Sequence, residues 1–176
     1  MKRIIFLLFG IFIFAFGCNE DILPADPLLE NETLKKAEVK MVPSIGEVFN
    51  YYNEEHPDWG TISGFLSHFG KLDETKSTWE FVSSDMSQFP PLITSIHDIV
   101  FCAANGDLAY GTFTGTVDVT TFEVNGTLVL EGGTGRFENV SGQSTVNGYV
   151  VFDEEGNRLG MYLAGEGEIS NVGSSK

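Results

Sequence analysis

Histidine is the side chain in this sequence best suited to proton transfer or metal binding, and the chain contains three: His56, His68 and His97. His56 precedes a proline in an acidic, loop-like stretch, which predicts an exposed side chain. His97 is followed directly by Asp98. Both lie in a predicted β-strand, and adjacent residues of a strand face opposite sides. The pair is therefore not expected to form a catalytic dyad, and we interpret the histidines as ordinary hydrogen-bonded side chains.

A metal site is the alternative chemistry for these histidines. It requires His68 and His97 to converge with a carboxylate such as Glu166 or Glu168, which alternate onto one face of a predicted strand. The sequence contains no hydrolase, metalloprotease or calcium-loop motif. The expectation is no catalytic set, no metal and no cofactor, with the histidine and carboxylate cluster left open as an alternative.

The stretch LVLEGGTGRFENVSG, residues 128–142, has three glycines in four positions and raises the question of a phosphate-binding loop. A Walker loop needs Lys and then Ser or Thr at the end of the glycine run, followed by a long helix. Arg136 and Phe137 stand there instead, and no helical pattern follows. A dinucleotide-binding fingerprint is also absent, because the glycines do not have its spacing and no strand-helix-strand pattern surrounds them. We interpret the glycines as a turn, with Phe137 and Val140 plugging the end of a barrel.

The elements that must position these residues are short runs of β-branched and aromatic residues separated by Gly, Asn and Asp. In FTGTVDVTTF, for example, Thr114 and Thr116 share one face while Phe113 and Val117 share the other. Asn-Gly pairs predict tight hairpins, and glycines inside the runs permit the bends of a small barrel. The prediction is an all-β fold, a closed antiparallel β-barrel of about eight strands.

Seven runs are candidate strands, and they are 60–69, 77–83, 95–103, 108–120, 122–132, 143–153 and 158–170. The run 108–120 is long enough to split at Gly115, which would supply the eighth strand. The preceding segment, 42–60, is compatible with a first strand or with a short helix that caps the barrel mouth.

The N-terminus reads MKRIIFLLFGIFIFAFGC: two cations, an apolar run too short for a membrane span, then Gly17 and Cys18. It resembles a bacterial lipoprotein signal peptide, in which the cysteine after a small residue is lipidated. We predict a signal peptide over 1–17, lipidation of Cys18, an acidic flexible tether over 18–40 and a β-barrel domain over 41–176. The protein would then be held to the membrane by its N-terminal lipid, as an outer-membrane lipoprotein of the cell envelope facing the periplasm or the cell surface. An ordinary secretory signal with an incidental cysteine is the alternative.

Acidic residues outnumber basic ones by 25 to 10, which gives a formal net charge of −15. Such a charge repels nucleic acid and excludes it as a partner. The other cysteine, Cys102, lies in the apolar run IVFCAA and is interpreted as a buried core residue rather than a nucleophile.

Three motifs carry a family resemblance. GGTGRFENVSG (132–142) resembles the GGTGxFxxAxG signature of the allene oxide cyclase-like and dirigent-like barrel superfamily. SHFGK (67–71) and AANGDLAYGTFTG (103–115) are similar to the SHLGK and AADGD stretches of its bacterial lipoprotein members. The resemblance implies an eight-stranded antiparallel barrel with a partly apolar cavity.

The expected function is non-enzymatic binding of a small apolar ligand in the lumen, or service as a surface interaction module. The alternative, which the resemblance implies, is an enzyme that cyclises or orients a reactive apolar intermediate. The side chains predicted to bind the ligand are Phe65, His68, Trp79, His97, Phe101 and Tyr149.

Overall fold

The computed structural model describes residues 40–53 and 55–170. It contains nine β-strands and one short 3-10 turn over Gly135–Phe137 in these residues. The strands are β1 Met41–Tyr51, β2 Trp59–Leu66, β3 Gly70–Lys71, β4 Thr78–Asp85, β5 Leu92–Cys102, β6 Leu108–Asp118, β7 Glu123–Gly133, β8 Gly142–Phe152 and β9 Arg158–Ser170. Among the described residues, no helix has the length and apolar character needed to cross a bilayer.

Eight of the strands form a closed antiparallel barrel, which confirms the predicted fold. Their order is β1-β9-β8-β7-β6-β5-β4-β2, and the pairing of β1 with β2 closes the ring. The two-residue β3 pairs with β2 outside this ring. A closed ring leaves no long strand edge unpaired, which protects a small β-protein from edge-to-edge association.

The eighth barrel strand is β1, so the prediction that the eighth strand arises by splitting 108–120 at Gly115 was wrong. β6 runs unbroken through that glycine and pairs with both neighbours. The open choice at 42–60 is resolved as a strand, because β1 pairs with β9 along its whole length. The seven candidate runs correspond to β2 and β4–β9, although the strands begin and end at somewhat different residues than predicted.

Side chains alternate between the inside and the outside of the barrel, as the sequence pattern predicts. In β5, His97, Ile99 and Phe101 are buried while Asp98 is exposed. His97 and Asp98 therefore face opposite sides, as expected, and do not form a dyad. Cys102 is fully buried, which confirms its interpretation as a core residue.

The two ends of the barrel differ. The glycine loop after β7 closes one end, where Phe137 and Val140 are buried and the ring of Phe137 stacks on that of Phe69 at a centroid distance of 4.2 Å. The plug predicted for this loop is thus present. β1 begins at this closed end, at Met41, and the opposite end is bordered by the connections 52–58, 86–91, 119–122 and 153–157.

Candidate functional site: an apolar cavity at the open end

The barrel contains a cavity of about 350 Å³ at its open end. A volume of this size lies in the range of small-molecule sites, which is roughly 300–1,000 Å³. Most of the lining is apolar or aromatic: Tyr52, Pro57, Trp79, Phe81, Ile93, Val117, Val119, Phe122, Val150, Phe152 and Met161. Four polar side chains complete it: Ser84, Ser95, His97 and Arg158.

Deeper in the barrel, the lumen is nearly filled. Val48, Ile62, Ile99, Phe101 and Leu163 are among the buried side chains there, and they leave an inner cavity of about 60 Å³. A space of that size holds a few water molecules at most, since one water needs about 10–15 Å³ by this measure. The inner cavity is therefore a packing void, and the cavity at the open end is the candidate site.

Two β-bulges bring polar side chains to this cavity. At the start of β9, Val151 pairs with Gly160 and Phe152 pairs with Arg158, so Leu159 is an extra residue on that strand. The bulge turns Leu159 outward, where it is exposed, and brings Arg158 to the cavity in its place. In β4 the register shifts between Phe81 and Ser83, and Ser84 consequently faces inward opposite Ser95. Strict alternation would have placed neither Arg158 nor Ser84 there.

His97 is the most buried polar side chain of the cavity, with only 9% of its surface exposed. Aromatic rings surround it: the Trp79 and Phe81 rings meet it edge-on at centroid distances of 5.5 and 5.8 Å, and Phe113 lies at 6.2 Å. Its Nε2 shares a hydrogen bond of 2.8 Å with the Ser95 hydroxyl, whereas its Nδ1 is buried and has no partner.

The surroundings of His97 keep its imidazole neutral. Burial disfavours the charged form, and the nearby Arg158 guanidinium adds repulsion; together they lower the pKa of His97 to about 4. The direction of the hydrogen bond between Nε2 and the Ser95 hydroxyl depends on the tautomer of the ring, and Nδ1 is enclosed by protein. His97 is not a strong base, because efficient general bases titrate near the working pH.

Arg158 is the only cation among the described residues that line the cavity. Its guanidinium lies over the Tyr52 ring, with 5.1 Å between Cζ and the ring centroid. The backbone N–H of Tyr52 donates to the carbonyl of Leu159, the bulge residue, at 2.9 Å, which holds the ring beside the guanidinium. Partial desolvation lowers the pKa of Arg158, although an arginine stays charged at any physiological pH.

The six predicted ligand-binding residues separate into three groups. Trp79 and His97 line the cavity at the open end. Phe101 is buried deeper, beside the inner void. The prediction that the remaining three face a ligand cavity in the lumen was wrong: Phe65 and Tyr149 are 60% and 51% exposed on the outer wall, and His68 is exposed in the turn after β2.

The positions of these three follow from the backbone. Phe65 and Tyr149 each alternate with inward-facing neighbours, Leu66 and Val150, and so point outward. His68 has a left-handed backbone (φ 71°) in the turn, and its Nε2 lies 2.9 Å from the carbonyl oxygen of Pro43. Phe65 borders a separate open hollow of about 460 Å³ on the outside of the barrel, which Glu47 and Glu166 also line.

The alternative metal cluster does not form. His68 lies in a closed-end turn, His97 faces the open-end cavity, and Glu166 and Glu168 are exposed. In the part of the chain that the structure describes, no three His, Cys, Asp or Glu side chains converge as metal ligands would.

Sequence reasoning missed most of the cavity lining, including Arg158, Tyr52, Phe122 and Phe152. One signal was available for Arg158: it follows the acidic hairpin tip DEEGN directly and opens a predicted strand, so it is an isolated cation at the rim of the barrel. Its inward direction depends on the bulge at Leu159, and the glycine that follows, Gly160, does not by itself distinguish a bulge from a regular strand position.

A comparison with protein-family models finds no matching family, and comparisons with curated proteins and with solved structures find no match either.

Proposed function

We propose that the protein is a cell-envelope lipoprotein whose barrel binds a small apolar ligand at its open end, without catalysing a reaction. The observation that carries the proposal is the contrast between the two cavities. The barrel core is packed down to a 60 Å³ void, yet the open end keeps about 350 Å³ of space between aromatic walls. Protein interiors are close-packed, and larger side chains would fill such a space if nothing had to bind there. An apolar cavity that stays open therefore favours a bound ligand.

The polar groups of the cavity favour binding over catalysis. His97 and Ser95 form a hydrogen-bonded pair, but the imidazole is a weak base, with its pKa near 4, and its Nδ1 has no carboxylate behind it. A serine nucleophile needs a base that can take its proton near neutral pH and a third group that orients that base. Two or three convergent polar groups in an apolar cavity are instead the usual means of orienting a bound molecule.

The cell-envelope location is part of the proposal and depends on residues 1–39, which lie outside the described residues. Gly17 and Cys18 follow a short apolar run with two cations before it, as in lipoprotein signal peptides. A lipid on Cys18 would join the barrel through the start of β1, which is at the closed end. The binding cavity would open at the other end of the barrel.

Binding is tested with N-phenyl-1-naphthylamine, an uncharged dye that fluoresces strongly in apolar surroundings. The expected result is a saturable rise in fluorescence with micromolar affinity. Val117→Trp fills the cavity and should abolish the signal, whereas Val82→Trp adds the same side chain at an exposed position outside the cavity and should not. Thermal unfolding of both variants verifies that they fold. A dye signal that is absent from the wild type, or equal in the two folded variants, would contradict the proposal.

Lipidation is tested separately by intact mass analysis of protein expressed in a bacterium with a lipoprotein pathway. The expected mature chain begins at Cys18 and carries acyl groups, and Cys18→Ser should leave the protein unacylated. An unmodified Cys18 at the mature N-terminus would refute the anchor and leave the binding result untouched.

A further inference from the structure

Arg158 presents an uncompensated positive charge to an otherwise apolar cavity. The described residues contain two ion pairs, Lys76 with Asp73 and Arg136 with Asp107, and neither involves Arg158. The hairpin before Arg158 carries three acids, and Asp153 already accepts hydrogen bonds from the backbone N–H and the side-chain amide of Asn157, at 2.7 and 2.9 Å. Glu154 and Glu155 are exposed, and neither belongs to an ion pair of the described residues. The hairpin thus uses its own carboxylate to form the turn and leaves the guanidinium without a counter-charge.

The other polar pair of the cavity, His97 and Ser95, carries no charge. The Ser95 hydroxyl and Nε2 of His97 share a hydrogen bond, in which either atom can be the donor, depending on the tautomer. Nδ1 of His97 has no partner among the described residues, but it is enclosed by protein and has almost no accessible surface. Arg158 is therefore the group that sets the charge preference of the cavity.

A guanidinium at the edge of a mostly apolar cavity selects for a ligand that carries negative charge. Carboxylates match a guanidinium in shape as well as in charge, because both are planar and can form two parallel hydrogen bonds. The remaining walls are rings and aliphatic groups, including Trp79, Phe81, Phe122 and Phe152. Rings of this kind pack best against a flat apolar molecule.

We infer that the ligand of the open-end cavity is an aromatic carboxylate, whose carboxylate is bound by Arg158 while its ring lies among the aromatic walls. The inference rests on the proposed binding function and adds the chemical class of the ligand. Arg158 supplies the charge, and the aromatic walls hold the apolar part of the molecule.

The acidic character of the whole protein does not prevent this. The formal net charge of −15 is spread over the chain, and exposed charges more than about 8–10 Å away are largely screened at physiological ionic strength. Glu154 and Glu155, at the hairpin tip, are exposed to solvent. Arg158 is itself exposed at the rim of the cavity, but a direct contact acts over a distance shorter than the screening length, so the local charge decides the preference.

The test compares two competitors with the same ring system and nearly the same shape, the anionic 2-naphthoate and the uncharged 2-naphthamide, in displacing N-phenyl-1-naphthylamine from the full-length protein. The carboxylate should displace the dye at a concentration about tenfold lower than the amide, as a charge-assisted pair allows. Arg158→Met keeps the length of the side chain and should bring the ratio of the two affinities close to one. Arg158→Lys should keep part of the preference, because it keeps the charge without the planar pair of donors.

Lys71→Met is the matched control. It removes the same charge from an exposed position in β3, outside the cavity, and should leave the ratio at its wild-type value. A wild-type ratio near one, or an equal loss of the ratio in Lys71→Met, would overturn the inference while dye binding still upheld the binding function. Absence of dye binding in the wild type would instead reject the binding function itself. Because each readout is a ratio within one variant, a general loss of stability does not imitate the expected result.

Discussion

At the scale of single residues, the burial of His97 has a consequence for stability that does not depend on any ligand. The pKa of a histidine in the unfolded chain is 6.5, whereas burial and the Arg158 charge lower the pKa of His97 to about 4 in the folded protein. Between these values the unfolded chain binds a proton that the folded chain does not. Acidification in this window therefore favours unfolding.

The free energy of unfolding should consequently fall as the pH is lowered from about 6.5 to about 4, with His97 contributing up to about 3 kcal/mol. Urea unfolding at intervals between pH 7.5 and 4 measures this. The variant His97→Gln has no titrating group at this position and should show a much flatter dependence in the same window. Identical slopes for the two proteins would show that His97 titrates normally.

Exposed aspartates act in a different window. Hydrogen bonds to neighbouring Thr and Ser groups lower the pKa values of Asp73, Asp85 and Asp118 below 3.8. Their contribution to stability is present above that pH and is lost only as the pH falls through their folded pKa values. Most of the His97 window lies above the pH at which these aspartates begin to titrate, so the slope between about pH 6.5 and 5 measures the His97 effect.

The sequence predicted His97 and Trp79 at the cavity but also predicted Phe65 and Tyr149, and the difference has a physical cause. His97 alternates with Ile99 and Phe101, whose hydrophobic side chains identify the inward face. Phe65 and Tyr149 follow Gly64 and Gly148, which occupy inward positions and carry no hydrophobic signal. Because the inward position is a glycine, the aromatic residue beside it is the more hydrophobic of the two, and the sequence pattern therefore suggests the wrong inward face.

At the scale of elements, Phe113 shows how β6 and β7 fill the barrel between the two cavities. Gly115 and Gly126 are cross-strand partners, and the Phe113 ring covers both of them. A Cβ built on Gly115 would overlap that ring. The same ring lines the inner void and lies 6.2 Å from the ring of His97, which lines the binding cavity, so Phe113 lies between the inner void and the wall of that cavity.

Gly115→Ala should therefore destabilise the protein by roughly 1–3 kcal/mol, because the added methyl displaces a packed aromatic ring. Gly165→Ala is the matched control in β9. A Cβ there meets its nearest atoms at 3.5 Å, which is ordinary contact, and the change should be close to neutral. Chemical unfolding of the two variants measures the difference, and equal losses would contradict the account of Phe113.

The glycine loop contributes to stability through Phe137 at the closed end. This side chain has no exposed surface, stacks on Phe69, and is covered by the Arg136 guanidinium at 4.7 Å from the ring centroid. Phe137→Ala should cost about 3–5 kcal/mol of unfolding free energy, as for other fully buried aromatic residues. A loss below 1 kcal/mol, measured by urea unfolding, would show that the loop does not act as a plug.

The strand pattern made seven of the eight barrel strands predictable, and β1 shows why the eighth was not. Its inward positions hold Ser44, Gly46 and Asn50, whereas Ile45 and Tyr51 lie on the outer wall and are exposed. The hydrophobic alternation of this strand is thus reversed for part of its length. Its place in the barrel comes from pairing with β9 and β2, which are distant in the sequence.

At the scale of the whole molecule, the barrel has one closed and one open end, and the strand connections at each end explain the asymmetry. The closed end has the glycine loop with its buried Phe137, together with the start of β1 and the end of β9. The open end is bordered by exposed apolar residues, Phe81, Phe122, Phe152 and Leu159 among them. An exposed apolar rim around a cavity is a common feature of sites that admit apolar molecules.

This asymmetry predicts that aromatic residues on the outer wall and at the open end differ in their effect on binding, although both are exposed. Phe152 lines the cavity and meets Phe122 edge-on at 4.8 Å, whereas Phe65 lies on the outer wall. Phe152→Ser should weaken binding of N-phenyl-1-naphthylamine about three- to tenfold, as the loss of roughly 1 kcal/mol of apolar contact implies.

Phe65→Ser makes the same chemical change on the outer wall and should leave the dissociation constant of the dye unchanged. Neither position belongs to the buried core, so both variants should fold, and dye titration followed by thermal unfolding compares them directly. If Phe65→Ser weakened binding of the dye and Phe152→Ser did not, the ligand would bind in the outer hollow beside β1 and β9. The two variants therefore distinguish binding in the open-end cavity, which Phe152 lines, from binding on the outer wall, where Phe65 lies.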